Sequence, residues 1–175
     1  MSFLLKFFKR QMNFSKRLKS KVGYIQKILE DDIYLIGGQN MIDEIFERGQ
    51  RVSSEFFIDT VWVKMLVTDE NGVFDTQVYN VVFEPAARTH WHAHPGGQIL
   101  IVTRGKGFYQ EKGKTARVLK PGDVVEIPPN VVHWHGAAPD REFVHIGMST
   151  RVHLGPAKWF GPVTDEEYKS AVEEK

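Results

Sequence analysis

Histidines stand at alternate positions 90, 92 and 94 in RTHWHAHPGGQ (88–98), and again at 133 and 135 in PPNVVHWHG (128–136). Imidazole is the commonest metal-binding side chain, and residues i and i+2 of an extended chain point to the same side. Each segment therefore presents a set of nitrogen donors on one face, with Trp91 and Ala93, or Trp134, on the other. A sixth histidine, His145, stands in EFVHIGMST (142–150), where Val144 and Ile146 take one face and the imidazole the other. The seventh, His153, lies outside these segments. The pattern predicts a divalent-metal site built across strands, with spare imidazoles beside it. Their ordinary pKa near neutrality suits general acid and base work. The alternation alone leaves open which two of His90, His92 and His94 bind.

The elements that must carry these histidines read as strands. DTVWVKMLVT (59–68) is rich in β-branched residues, and DENG (69–72) supplies a turn before TQVYNVVFE (76–84). QILIVT (98–103) is a compact apolar run, and GFYQEKGKTARVL (107–119) reads as a hairpin around Lys112-Gly113-Lys114. KPGD (120–123) has Pro and Gly where a tight turn wants them, ahead of VVEIPPNVVHWH (124–135) and EFVHIGMST. Short strands without intervening helical patterns predict an antiparallel sandwich or barrel. GPVTDEEYKSAVEEK (161–175) ends the chain as a short helix, with Thr164 and Glu167 as a capping box.

Charge is distributed unevenly. Residues 1–27 carry eight Lys or Arg and no acid, leaving 15 bases against 22 acids in the remainder, a formal charge of −7. An acidic body argues against nucleic acid as a partner, because phosphate contacts need basic charge on the domain itself. The basic tip has helical periodicity through Leu4, Phe7, Gln11, Phe14, Leu18, Val22, Ile25 and Leu29. Three readings compete for it: a helix docked on the body or on a second subunit, an interfacial membrane helix, or a targeting segment or over-extended start preceding Met12 or Met41. LIGGQNM (35–41) marks the break, giving a helical extension over 1–40 and a β-domain over 41–175. No apolar run approaches the ~18 residues of a membrane span. The chain has no cysteine, which excludes thiolate ligands and disulfides and fits a reducing, cytoplasmic location.

The two histidine segments resemble the cupin motifs, Gly-x5-His-x-His-x3/4-Glu-x6-Gly and Gly-x5-Pro-x-Gly-x2-His-x3-Asn. With His92 and His94 as the pair, Gln98 falls at the Glu position and Gly105 at the terminal Gly, whereas pairing His90 with His92 would put Gly96 or Gly97 there. The second motif fits through Gly122, Pro128 and His133. The departures are Ala86 for the first Gly, Gln98 for Glu, Asn130 for Gly and Ala137 for Asn. The resemblance covers residues 56–150. It implies an all-β fold, the cupin double-stranded β-helix or jelly-roll barrel, flanked here by the basic N-terminal helix and the short C-terminal one. It also implies one divalent transition metal per chain held by His92, His94, Gln98 and His133, manganese first, with iron, nickel, cobalt or zinc accepted by the same donors. His90 is left at the cavity mouth.

Glutamine in place of glutamate leaves the site near +2 rather than +1. That strengthens a bound metal as a Lewis acid and disfavours its oxidation, which points to redox-neutral chemistry. FEPAARTHWHAHPGGQILIVTRGKGFYQ, KPGDVVEIPPNVVHWHGAAPD and the terminal VTDEEY resemble a bacterial cupin subgroup that includes manganese-dependent hydroxynitrile lyases and cupins fused to carboxymuconolactone decarboxylase-like domains. The resemblance implies His135 and His145 as catalytic groups, a small oxygen-bearing substrate and a homodimer. The alternatives are a metal-dependent binding or sensing module without turnover, and an oxygenase or accessory enzyme of aromatic degradation.

Overall fold

A computed structural model describes residues 45–52 and 55–173; the basic extension expected over 1–40 lies outside them. Regular structure begins with β1 (Gln50–Arg51), β2 (Phe57–Ile58), β3 (Val61–Val67), β4 (Thr76–Phe83), β5 (Arg88–Thr89) and β6 (His92–Ala93). It continues through β7 (Gln98–Gly105), β8 (Gly107–Glu111), β9 (Arg117–Leu119), β10 (Val124–Ile127), β11 (His133–Ala137), β12 (Phe143–Thr150) and β13 (Lys158–Trp159). Helix α1 (Asp165–Glu173) closes the described chain. Every strand pairing is antiparallel.

The long strands lie where the β-branched runs placed them, separated by the anticipated turns. Gly72 donates its amide to Asp69 across DENG, and Asp123 donates to Lys120 across KPGD. The hairpin around Gly113 forms, with β8 against β9 from Gly107↔Leu119 to Tyr109↔Arg117.

The strands form two sheets. One runs β1-β3-β4-β12-β7-β10; in the other, β11 pairs with β6 and β5 along one edge and with β8 along the opposite edge. Val61, Val81, Phe83, Leu100, Val102 and Phe143 of the first sheet meet Tyr109, Leu119 and Ala137 of the second in one buried cluster. A second cluster, with Trp91, Phe108, Trp134, Tyr168 and Ala171, lies under α1. β11 faces both: alternation sends Trp134 toward the helix and its two histidines toward the interior.

Helix α1 holds this arrangement through its N-terminal half. Thr164 and Glu167 form the expected reciprocal cap, each donating its amide to the other's side chain at 3.0 and 3.1 Å. The buried Arg88 guanidinium donates to the Val163 carbonyl and to Asp165, and it lies 4.6 Å from the Tyr168 ring centre. The Tyr168 hydroxyl donates to the Ala137 carbonyl at 2.8 Å. The helix thereby fastens β11, the sheet partner of the histidine-bearing strand β6, and β5, which pairs with the same edge of β11. Gly136 lets β5 and β11 come this close, since a Cβ there would sit 2.5 Å from the Ala87 carbonyl oxygen.

Two departures from the motif sit where backbone conformation explains the usual glycine. Ala86 and Asn130 both adopt left-handed φ, +66° and +60°. Asn tolerates that region, whereas Ala is strained there by about 1 kcal/mol. Among the described residues, no helix is long and apolar enough to cross a membrane.

Candidate metal centre

The histidine segment 88–94 is not the single strand that its alternation suggested. It makes two two-residue strands, β5 and β6, interrupted where His90 donates its amide to Phe56 and Trp91 exchanges backbone hydrogen bonds with Gly161 and Phe160. The break removes the His90 ring from the cavity wall, and the ring is half-buried.

Strand register does the rest. His92 of β6 lies directly opposite His133 of β11, and their ring centres are 4.2 Å apart. His94 follows β6, with its ring 5.2 Å from that of His92 and 6.1 Å from that of His133. Gln98 opens β7 in the other sheet, and its Oε1 stands 3.1 Å from His133 Nε2. The four expected donors thus converge from two sheets.

The outward nitrogens of three of these rings are anchored. His92 Nδ1 donates to the His90 carbonyl and His133 Nδ1 to the Val131 carbonyl, each at 2.9 Å. Carbonyl oxygen only accepts, so in the neutral rings both Nε2 atoms carry bare lone pairs. His94 Nδ1 lies 3.2 Å from Ser149 Oγ, and its Nε2 is buried without a hydrogen-bond partner among the described residues. Gln98 Nε2 donates to the Tyr79 hydroxyl oxygen at 2.8 Å, and that oxygen is 2.9 Å from Ser149 Oγ.

His135 and His145 are different. Both rings are buried, and among the described residues none of their four nitrogens has a side-chain hydrogen-bond partner. His135 lies on the cavity wall, its ring centre 5.4 Å from that of His92 and 5.9 Å from that of His133. His145 sits behind it rather than on the wall, between Phe83 at 5.8 Å and Phe143 at 5.4 Å. Among the described residues, His92, His133 and His135 bring one nitrogen each within 4.8 Å of the others, a group that could hold a metal and that leaves out His94. Geometry therefore draws His135 closer to the donors than the motif suggested.

Burial keeps all five rings neutral. It holds the pKa of His94, His133 and His145 down to about 4. Burial, reinforced by the neighbouring imidazoles, holds His92 and His135 well below the ordinary 6.5. Neutral imidazole is the form a metal requires. Buried, converging imidazole nitrogens joined by an amide oxygen fit a divalent transition metal.

A cavity of about 280 Å³ opens on these residues. Phe57, Val63, Val81, Phe83 and Trp159 form its apolar walls, and His92, His94, Gln98 and His135 its polar end. The Trp159 indole stacks on His92 at 4.8 Å and is itself backed by Phe56 at 4.5 Å. His153 is remote in character, an exposed ring 2.6 Å from an Asp75 carboxylate oxygen. Sequence reasoning missed Trp159, Tyr79 and Ser149, which carry no metal-binding signal of their own.

Residues 79–146 match the cupin domain family. An (R)-mandelonitrile lyase from Granulicella tundricola is 47% identical over 90 residues, or 51% of this chain and 69% of that protein. An acireductone dioxygenase from Bacillus cytotoxicus is 31% identical over 72 residues, or 39% of this chain and 40% of that one. The crystal structure of a cupin-like protein from Thermotoga maritima is 79% identical, with a TM-score of 0.75, over 76% of this chain and all of the other.

Proposed function

This chain belongs to the cupin superfamily, and from that premise we propose that it is a metal-dependent, redox-neutral lyase acting on a small oxygen-bearing molecule. The observation that carries the proposal is the division among its five interior histidines. His92, His94 and His133 each have Nδ1 against a fixed oxygen, leaving Nε2 to ligate, which is how metal-binding imidazoles are ordinarily oriented. With Gln98 they would hold the metal, manganese first. Among the described residues His135 has neither nitrogen engaged, and it stands beside them. A ring so placed is free to take up and return a proton.

A bound divalent metal supplies Lewis acidity toward a substrate oxygen, and the neutral Gln98 leaves that acidity undiminished. The protein supplies the rest. The apolar walls take the substrate's hydrocarbon part and exclude water, and the Trp159 indole fixes the His92 ring. For a cyanohydrin, His135 takes the hydroxyl proton as the bond between the carbinol and nitrile carbons breaks. An aldehyde forms, and the proton passes to the departing cyanide. The likeness to a mandelonitrile lyase supports this substrate class. The test is metal analysis of the purified protein joined to mandelonitrile cleavage with and without chelator. Activity that survives complete metal removal overturns the proposal.

The likeness to an acireductone dioxygenase favours a second reading, oxygenase chemistry on the same donors. Substrate-dependent oxygen consumption by the metal-loaded protein would support it. The missing carboxylate at position 98 weighs against it.

A further inference from the structure

We infer that Tyr79, aimed by Ser149, is a positioning residue that selects which end of the Gln98 amide faces the metal position. The inference rests on the metal-site reading above. An amide has two unlike ends: only its oxygen ligates, and only its nitrogen donates. The nitrogen of Gln98 points to the Tyr79 hydroxyl oxygen at 2.8 Å, which turns the oxygen inward to 3.1 Å from His133 Nε2. His133 Nδ1 is committed as a donor to Val131, so two lone-pair atoms face one another at that distance. Reversing the amide would relieve this contact by giving His133 a donor. The observed orientation suits a cation shared between the two atoms.

What opposes reversal is the hydroxyl's own direction. If the Tyr79 proton points to Ser149 Oγ, 2.9 Å away, the phenol oxygen presents a lone pair to the amide and welcomes its nitrogen. Ser149 Oγ also lies 3.2 Å from His94 Nδ1. By accepting from both the phenol and that nitrogen, it sets the amide's orientation and leaves His94 Nε2 bare. One serine oxygen thus coordinates the presentation of two donors from different sheets. The tyrosine ring is built into place, since it lies over Gly147, its direct partner across β4 and β12. A Cβ on Gly147 would come within 2.2 Å of the ring.

A carboxylate has two equivalent oxygens, so the selecting role disappears if Gln98 becomes Glu. The test titrates metal-free protein with Mn²⁺ and Zn²⁺ against a chromophoric chelator in four forms: the parent, Tyr79→Phe, Gln98→Glu and the double variant. In the parent background, Tyr79→Phe weakens binding about tenfold to a hundredfold, the usual effect of removing an outer partner of a metal ligand. In the Gln98→Glu background the loss is several times smaller. Equal losses in both would make Tyr79 a packing residue and overturn the inference while leaving the metal site standing. Failure of the parent to bind either ion would remove the metal site and the inference together. Should Tyr79→Phe not fold, Ser149→Ala in the same two backgrounds tests the Gln98 share: its effect through His94 is common to both, so the loss in the parent background must exceed that in the Gln98→Glu background.

Discussion

The rings of His135 and His145 meet edge to face with centres 4.9 Å apart, and among the described residues neither ring nitrogen of His135 has a hydrogen-bond partner. Fully buried polar atoms ordinarily find partners, and leaving one unsatisfied costs about 1–3 kcal/mol. His135 lies on the cavity wall, where a substrate can meet its nitrogens, whereas His145 lies behind it between Phe83 and Phe143.

Replacing His135 with alanine should leave the metal in place and reduce mandelonitrile cleavage by about a hundredfold to ten-thousandfold, the range for losing a general acid or base. Metal content and turnover are measured on the same sample. Loss of the metal would instead place His135 among the ligands, as its closeness to His92 and His133 would then require.

His145→Leu removes the two unpartnered nitrogens from between Phe83 and Phe143 while keeping bulk. The metal-free variant should be more stable than the parent in urea, by roughly 1 kcal/mol, and slower in turnover. A destabilised variant would mean that the imidazole has a partner in solution.

His90 supports His92 through its carbonyl, not its ring. His90→Ala should therefore retain full metal affinity, with stability changed by about 0.5 kcal/mol or less. A large loss of affinity would restore the ring to the site.

Acid should destabilise the metal-free protein. His94, His133 and His145 have folded pKa values of about 4 against an ordinary 6.5, with His92 and His135 also held low. The unfolded chain takes up protons first as pH falls, so this stability is present above about 6.5 and is lost progressively toward about 4. Urea midpoints at about pH 7.5 and about pH 5 should differ clearly, and equal midpoints would contradict the burial of these rings.

Much of this was legible because it depends on short-range pattern. β-branched runs, the two turns and the Thr164–Glu167 cap are properties of neighbouring residues, and each formed where expected. The interior face of β11 followed from alternation, and the convergence of His92, His94, Gln98 and His133 from motif spacing. The break at His90 was not legible, because it is imposed by backbone partners from Phe56 and Gly161, far away in sequence. Trp159 over His92 depends on a two-residue strand with no pattern of its own. Tyr79 and Ser149 are 70 positions apart, and each reads alone as an ordinary strand residue.

His133 faces His92 because of one register between β6 and β11. A slip of one residue would turn Trp134 inward and both histidines of β11 out. Ligand geometry here is thus a readout of correct strand pairing, and an ion that binds only the matched arrangement acts as a proofreader of the fold. Chains that refold with the metal present should reach the native pairing in higher yield than chains that refold without it.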